Sequence, residues 1–260
     1  MTRVLSALAL LSLVLGVIWV LPPLATVLLA ELVLLVAFIE YTDLIKRLGV
    51  GYPRIPVAVT VLGTGAAFSL APTMFPLVLM AATLVIAMVQ LAQGQLRGML
   101  PGVAAAGFAL LYLAIPIGAM AAIRLSAGRE AILLLLVVIM ASDTTQYYGG
   151  RLFGRHPLAP AVSPKKTVEG AVFGFATGAV VMLWVGYWWL PTVEPIPRIL
   201  LGATLAGLGI VGDLFESKLK RAAEMKDSSL LIPGHGGMLD RLDGLLFAAP
   251  LYYTVMCLTR

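Results

Sequence analysis

Apolar runs of near-bilayer length succeed one another along this sequence with little between them. A helix rising about 1.5 Å per residue needs roughly 20 apolar residues to cross ~30 Å of hydrocarbon. Segments near 4–21, 24–40, 56–71, 74–92, 102–122, 131–148, 169–190, 199–216 and 242–258 approach that length. Pro22, Pro23, Pro72, Pro101 and Pro191 fall at the breaks, where a missing N–H does least harm. Charged residues make up 12% of the 260 and hydrophobic residues 60%, against ~25% charged in soluble domains. An ordinary water-soluble enzyme is excluded. The fold expected is all-α, a polytopic membrane protein with about nine transmembrane helices. The opening Met1-Thr2-Arg3 and its apolar run have the outline of a signal peptide but no small-residue cleavage site, so the run is read as a span.

Successive spans place the loops alternately on two faces, and basic residues accumulate on the cytoplasmic one. With nine spans, fourteen of the 18 Lys and Arg share the side of Arg3, and four (Arg124, Arg129, Arg198 and Arg260) take the other. The N-terminus is therefore expected in the cytoplasm. The net charge of +5 sits between apolar runs, which points to membrane lipid or a phosphorylated substrate as partner and away from nucleic acid. The single cysteine, Cys257, excludes an internal disulfide and a thiolate metal cluster.

Polar residues are unevenly spread. Residues 141–244 hold nine of the 13 acids and both histidines. The chain is read as an N-terminal scaffold of about five helices over 1–130 and a functional portion of about four over 131–260, with cytoplasmic loops at 149–168 and 217–241. Asp143 lies in an apolar helix, where a carboxylate is paired, faces a polar cavity, or makes a helix-packing hydrogen bond. Lys165 and Lys166, beside Ser163 and Thr167, serve either as membrane anchors or as a phosphate-binding loop. Gly149 to Gly154 resembles a P-loop only superficially, because Arg155-His156 stands where Lys and Ser or Thr are required. Gly170, Gly174 and Gly178 leave one helix face bare for close packing.

The densest chemistry lies between Asp213 and Gly244. At ~100° per residue, Asp213, Ser217, Lys220 and Glu224 share one face of a helix that continues into the cytoplasm. A carboxylate and a hydroxyl at this spacing can hold a hard cation, with a second carboxylate from Asp240 or Asp243. Capping of the following helix is the alternative role of those two acids. Between them, Pro233-Gly234-His235-Gly236-Gly237 forms a turn whose backbone can approach a phosphate. Lys218, Lys220, Arg221, Lys226 and Arg241 supply positive charge around it. His235 is read as structural or as a proton-transfer group.

Ser217, Lys220-Arg221, Lys226-Asp227, Pro233-Gly234-His235-Gly236-Gly237, Asp240-Arg241 and Asp243 together resemble the signature of the phosphatidate cytidylyltransferases, or CDP-diacylglycerol synthases. Ser142-Asp143-Thr144 and Ser163-Pro164-Lys165-Lys166-Thr167 resemble further elements of that family, so the likeness is strong over roughly 140–245. The sequence departs from the family pattern at Thr145-Gln146, where small residues are usual, and at Val168, where an aromatic is common. The resemblance implies that CTP and phosphatidate give CDP-diacylglycerol and pyrophosphate in phospholipid biosynthesis. It also implies Mg²⁺, with K⁺ as a second metal, near Asp213, Ser217 and Asp240, and a homodimer.

Chemistry and resemblance together make Asp213, Lys226 and Asp240 the catalytic set. Asp213, Ser217 and Asp240 are the metal set. Substrate contacts fall to Asp143, Lys165, Lys166, Lys220, Arg221, Asp227, His235, Gly236, Gly237, Arg241 and Asp243. A lipid substrate and a cytosolic nucleotide place the site at the cytoplasmic face of the cell's inner (plasma) membrane. Two other readings stay open. A CDP-alcohol phosphotransferase or polyprenyl-phosphate transferase would also gather acids and bases at that face, although the D-G-x-x-A-R pattern of the former is missing. In an ion-coupled transporter, Asp143 and Asp213 would be intramembrane ion sites.

Overall fold

The structure is a computed structural model, and it describes residues 2–93, 98–229 and 236–259, with side chains from Leu10 onward. Pro233, Gly234 and His235 of the expected phosphate loop, and the basic Arg97, lie outside the described residues. The chain folds as two compact units, one of Met1–Leu125 with Ala222–Arg241 and one of Ser126–Arg221 with Leu242–Arg260.

The first unit contains α1 (Thr2–Val20), α2 (Pro23–Arg47), α3 (Arg54–Leu70) and α4 (Phe75–Ala92). A continuous rod follows, made of α5 (Met99–Ala109), a π-helical turn (Leu110–Ala114) and α6 (Ile115–Ala127). The wide turn ends two residues before Pro116, which lacks an N–H and would crowd the carbonyl of Tyr112 in a regular α-helix. α2 begins on Pro23 and ends on Lys46 and Arg47, a start and a finish that suit the helix dipole. Leu34, Phe38, Tyr41 and Ile45 are buried at helical spacing, and the Tyr41 hydroxyl donates to the Ala105 carbonyl at 2.9 Å.

The second unit is built on α7 (Arg129–Phe153), α8 (Val168–Trp189), α9 (Pro195–Ala222) and most of α10 (Leu239–Leu258). Between α7 and α8 stands an antiparallel hairpin of β1 (Pro157–Ala159) and β2 (Ser163–Thr167). Thr167 caps α8, its Oγ1 accepting from Gly170 N at 3.1 Å. The Glu169 carboxylate ties down the base of the hairpin, with Oε2 accepting from Arg155 N and His156 N at 3.0 and 3.2 Å.

Bare glycine faces bring these helices together. A Cβ at Gly170 would lie 2.6 Å from the Gln146 carbonyl of α7, and one at Gly178 would lie 2.6 Å from the Gly202 carbonyl of α9. On α10, a Cβ at Gly244 would lie 3.2 Å from the Cα of Gly209. The close packing expected of Gly170, Gly174 and Gly178 is what the structure shows.

Six helices are long and apolar enough to cross a membrane among the described residues: Pro23–Arg47, Phe75–Ala92, Met99–Ala127, Arg129–Phe153, Val168–Trp189 and Pro195–Ala222. The chain is a multi-pass, almost wholly helical membrane protein. Helices also cover the other expected spans, but Leu10–Val20 and Arg54–Leu70 are shorter. Three local readings change. The loop expected over 149–168 contains the β-hairpin, because Pro157, Pro160 and Pro164 break helical hydrogen bonding while β2 pairs with β1. Glu224 is not on the helix of Asp213; α9 ends at Ala222, and Glu224 takes a left-handed φ of 56° just beyond it. Residues 222–241 join the first unit and not the C-terminal portion, drawn there by contacts to Glu40 described below.

Gly178→Val should lower the thermal midpoint of the detergent-solubilised protein, since an overpacked helix contact costs about 1–3 kcal/mol. Gly63→Ala, where nothing lies within 4 Å of the added carbon, should leave it unchanged or raised. Equal midpoints for the two variants would contradict this packing.

Candidate functional site

Two groups of the expected site residues are assembled, one in each unit. In the second unit the close approach of α9 and α10 carries Asp213 and Asp243 on adjoining backbone. A Cβ at Gly212 would strike the Asp243 carbonyl, so only glycine admits this spacing. Lys166, the penultimate residue of β2, reaches Asp213 and donates to its Oδ2. Ser217, one turn on from Asp213, donates to Oδ1 at 3.3 Å. Asp143 on α7 and Asp243 on α10 are close enough to Asp213 for their charges to interact. The Asp243 Oδ1 also accepts from Gly244 N at 2.7 Å. The hairpin thus delivers one lysine to a patch of three carboxylates.

Other expected contacts of this unit fall elsewhere. Lys220 is buried and paired with the buried Glu216 at 2.5 Å, so its charge is committed to its own helix. Lys165 and Arg221 are exposed. Gln146, one of the departures from the family pattern, is buried and its Nε2 has no hydrogen-bond partner among the described residues. Its neighbour Thr145 is satisfied by the Ala141 and Ser142 carbonyls, each at 3.0 Å.

No three His, Cys, Asp or Glu side chains among the described residues converge as a ready-made metal cage. The donors of the second unit nevertheless fit a hard cation. Asp143, Asp213 and Asp243 offer carboxylate oxygens and Ser217 a hydroxyl, the ligand types that Mg²⁺ prefers. Three neighbouring carboxylates sharing one lysine form a donor set whose mutual repulsion a divalent ion would relieve.

In the first unit, Asp240 opens α10 and its Oδ2 accepts from Ser228 N at 2.9 Å, Ser228 Oγ at 2.8 Å and Gly237 N at 2.8 Å. Asp240 therefore holds both sides of the loop that precedes it. Gly236 has φ +79°, a conformation that side-chain-bearing residues avoid, and a Cβ there would also lie 2.7 Å from Asp240 Oδ2. The glycines serve the closure of the loop, and the Gly237 N–H is directed at Asp240. Arg241 is exposed, and His235 is outside the described residues.

Beside this loop lies a cleft of about 860 Å³, lined by Asp43, Lys46 and Arg47 at the end of α2 and by residues 224–229. Lys226 and Asp227 are exposed on its wall, and Asp43 is ion-paired with Arg54. Lys46 and Arg47 were legible only as basic residues ending a span. Their place in the cleft depends on residues 222–241 returning to the first unit, which no local pattern announces. Glu40, the buried partner of this loop, left only one trace in the sequence, an acid within an apolar helix.

A multi-pass helical protein with acids and lysines gathered at loop-proximal helix ends is the class that fold and site define. The chain matches the cytidylyltransferase family over residues 1–259 and belongs to it. It is 38% identical over 164 residues to the phosphatidate cytidylyltransferase of Thermotoga maritima, covering 59% of this chain and 58% of the relative. It is 41% identical over 139 residues to that of Helicobacter pylori strain J99, covering 54% and 52%. With the uncharacterized protein YnbB of Escherichia coli K12 it shares 33% identity over 233 residues, 84% of this chain and 76% of the relative. The chain spans little more than half the length of the first two relatives.

Lys220→Met should destabilise the fold by about 3–5 kcal/mol, because it leaves the buried Glu216 carboxylate without its lysine. The check is the thermal midpoint of the variant, and a midpoint equal to wild type would contradict the pairing. Asp240→Asn keeps the side-chain size but weakens the loop anchor and removes an expected catalytic charge. Its turnover should fall at least ~10²-fold, and wild-type turnover would remove Asp240 from the site.

Proposed function

We propose that this protein transfers the cytidylyl group of CTP to phosphatidate, giving CDP-diacylglycerol and pyrophosphate. One observation carries the reading: in a chain of the cytidylyltransferase family, Lys166 is held on Asp213 with the charges of Asp143 and Asp243 alongside. The relatives in Thermotoga maritima and Helicobacter pylori bear the name of this reaction.

A phosphate oxygen of phosphatidate attacks the α-phosphorus of CTP. The new P–O bond forms as the bond to the bridging oxygen of the β-phosphate breaks, and pyrophosphate leaves with that electron pair. A phosphate monoester has its second pKa near ~6, so the nucleophile is largely dianionic at neutral pH and needs no strong base. The barrier is repulsion between anions, about 1 kcal/mol per pair of unit charges at ~4 Å in water and several-fold more where water is scarce. Asp213 and Ser217 would hold Mg²⁺, with K⁺ as the second metal, and the bound Mg²⁺ would supply polarisation of the α-phosphate and orientation of the leaving pyrophosphate. Asp240 is the further carboxylate of the catalytic set. Lys166 and Lys165 bring positive charge to phosphate on the hairpin. Lys226, with Lys46 and Arg47, lines a cleft whose size is within the ~300–1,000 Å³ of ligand sites and takes the triphosphate.

The membrane setting follows from the substrates. Each CH₂ of a lipid tail costs ~0.8 kcal/mol to expose, so phosphatidate stays in the bilayer while CTP arrives from the cytosol. Nine spans with a cytoplasmic N-terminus put the basic loops on that side of the inner membrane, and the family resemblance implies a homodimer.

Purified protein given phosphatidate and Mg²⁺ should release pyrophosphate from CTP in preference to ATP, GTP or UTP. No release from CTP, or equal release from all four, would contradict the proposal. Lys226→Ala should raise KM for CTP about tenfold, the loss of one charge-assisted hydrogen bond, at unchanged expression. An unchanged KM would return Lys226 to the role of a membrane anchor.

A further inference from the structure

Glu40 lies on α2, within the part of the chain that reads as scaffold, and is only 4% exposed. Oε1 accepts from Ser229 Oγ at 2.6 Å and Met238 N at 2.8 Å. Oε2 accepts from Leu239 N at 2.9 Å and, also at 2.9 Å, shares with Asp240 Oδ2 the single proton of the Ser228 hydroxyl. The four donors come from the two sides of the Gly236-Gly237 loop and from the first turn of α10. Glu40 therefore performs from another helix the capping that a local side chain usually supplies.

The match between donors and acceptor is specific to a carboxylate. An ionised carboxylate presents four acceptor positions and no donor, and burial of its charge is tolerated because three are filled outright and the fourth shares the Ser228 hydroxyl with Asp240. A glutamine of the same size fails in either orientation. Its NH₂ would face the N–H of Met238 or that of Leu239, and two donors cannot bond. A Cβ at Gly237 would run into both Ser228 Oγ and the Glu40 carboxylate, so the glycine and the acid fit one another. The serines that Glu40 grips also line the cleft, next to Lys226 and Asp227.

We propose that Glu40 is a positioning residue, a clasp that holds the Ser228–Ser229 and Met238–Leu239 sides of the loop on α2 and so fixes the cleft wall that receives the nucleotide. The identity of the nucleotide rests on the cytidylyl-transfer reading, whereas the clasp does not. Glu40 touches no reacting atom in this account. Its loss acts through the placement of Lys226 and Asp227, so nucleotide affinity suffers before lipid affinity does.

The test compares Glu40→Gln and Ser229→Ala with wild type in the full-length, detergent-solubilised protein. Hydrogen exchange is followed in peptides covering 224–229 and 236–241, and KM is measured separately for CTP and phosphatidate. Glu40→Gln should speed exchange in those peptides at least ~10-fold and raise KM for CTP about tenfold, the effect of one or two lost buried hydrogen bonds. KM for phosphatidate should stay within about twofold, and Ser229→Ala should shift exchange and KM for CTP in the same direction by about two- to fivefold. Unchanged exchange in both peptides overturns the proposal, as does a parallel rise of both KM values with a lowered thermal midpoint. If Glu40→Gln yields no folded protein, Ser229→Ala decides on the same readouts. A wild-type protein that releases no pyrophosphate from CTP defeats the cytidylyl-transfer reading, while the exchange comparison still judges the clasp.

Discussion

An ionised carboxylate at the edge of hydrocarbon persists only where something answers its charge, and that requirement organises both units of this protein. Glu40 is answered by three hydrogen-bond donors and a share of the Ser228 hydroxyl, and Glu216 by Lys220. Asp240 is answered by the backbone and hydroxyl of its own loop. Glu40 and Asp240 each anchor a loop, Asp240 while also carrying an expected catalytic charge, and Glu216 pairs within its own helix. Asp213 differs, since its one lysine is shared with the charges of Asp143 and Asp243. Where the answer is incomplete, the proposed function places a cation and an anionic substrate.

Small residues make that arrangement possible. Side chains do not separate α9 from α10 at Gly209, Gly212 and Gly244, nor α8 from its neighbours at Gly170 and Gly178. Within a bilayer the hydrophobic effect gives helices little reason to associate, so close backbone packing has to do so. The same closeness brings acids on different helices within electrostatic reach of one another. The hairpin at the end of α7 then adds Lys166, tethered at its base by Glu169 and Thr167.

What the sequence makes legible is what depends on local pattern. Apolar length marks the helices, the glycine stripe marks their packing, and the spacing of Asp213 and Ser217 puts them on one face, where the structure joins them at 3.3 Å. Residues that act through distant partners were out of reach. Glu40 meets donors at 228–239 only after the chain has left the first unit and returned, and Lys46 and Arg47 enter the cleft for the same reason. Lys220 and Glu224 show the converse. Helical periodicity assigned both to the face of Asp213, but Lys220 is drawn to Glu216, and the helix stops before Glu224.

The central proposal is that the carboxylates around Asp213, which share one lysine, take up a divalent ion. Mn²⁺ substitutes for Mg²⁺ and is detected directly by its electron paramagnetic resonance, without any turnover. Titrated into the purified protein, Mn²⁺ should bind, be displaced by Mg²⁺, and lose that binding in Asp213→Asn. Absence of bound Mn²⁺ in wild type, or binding that survives in Asp213→Asn, would contradict the account.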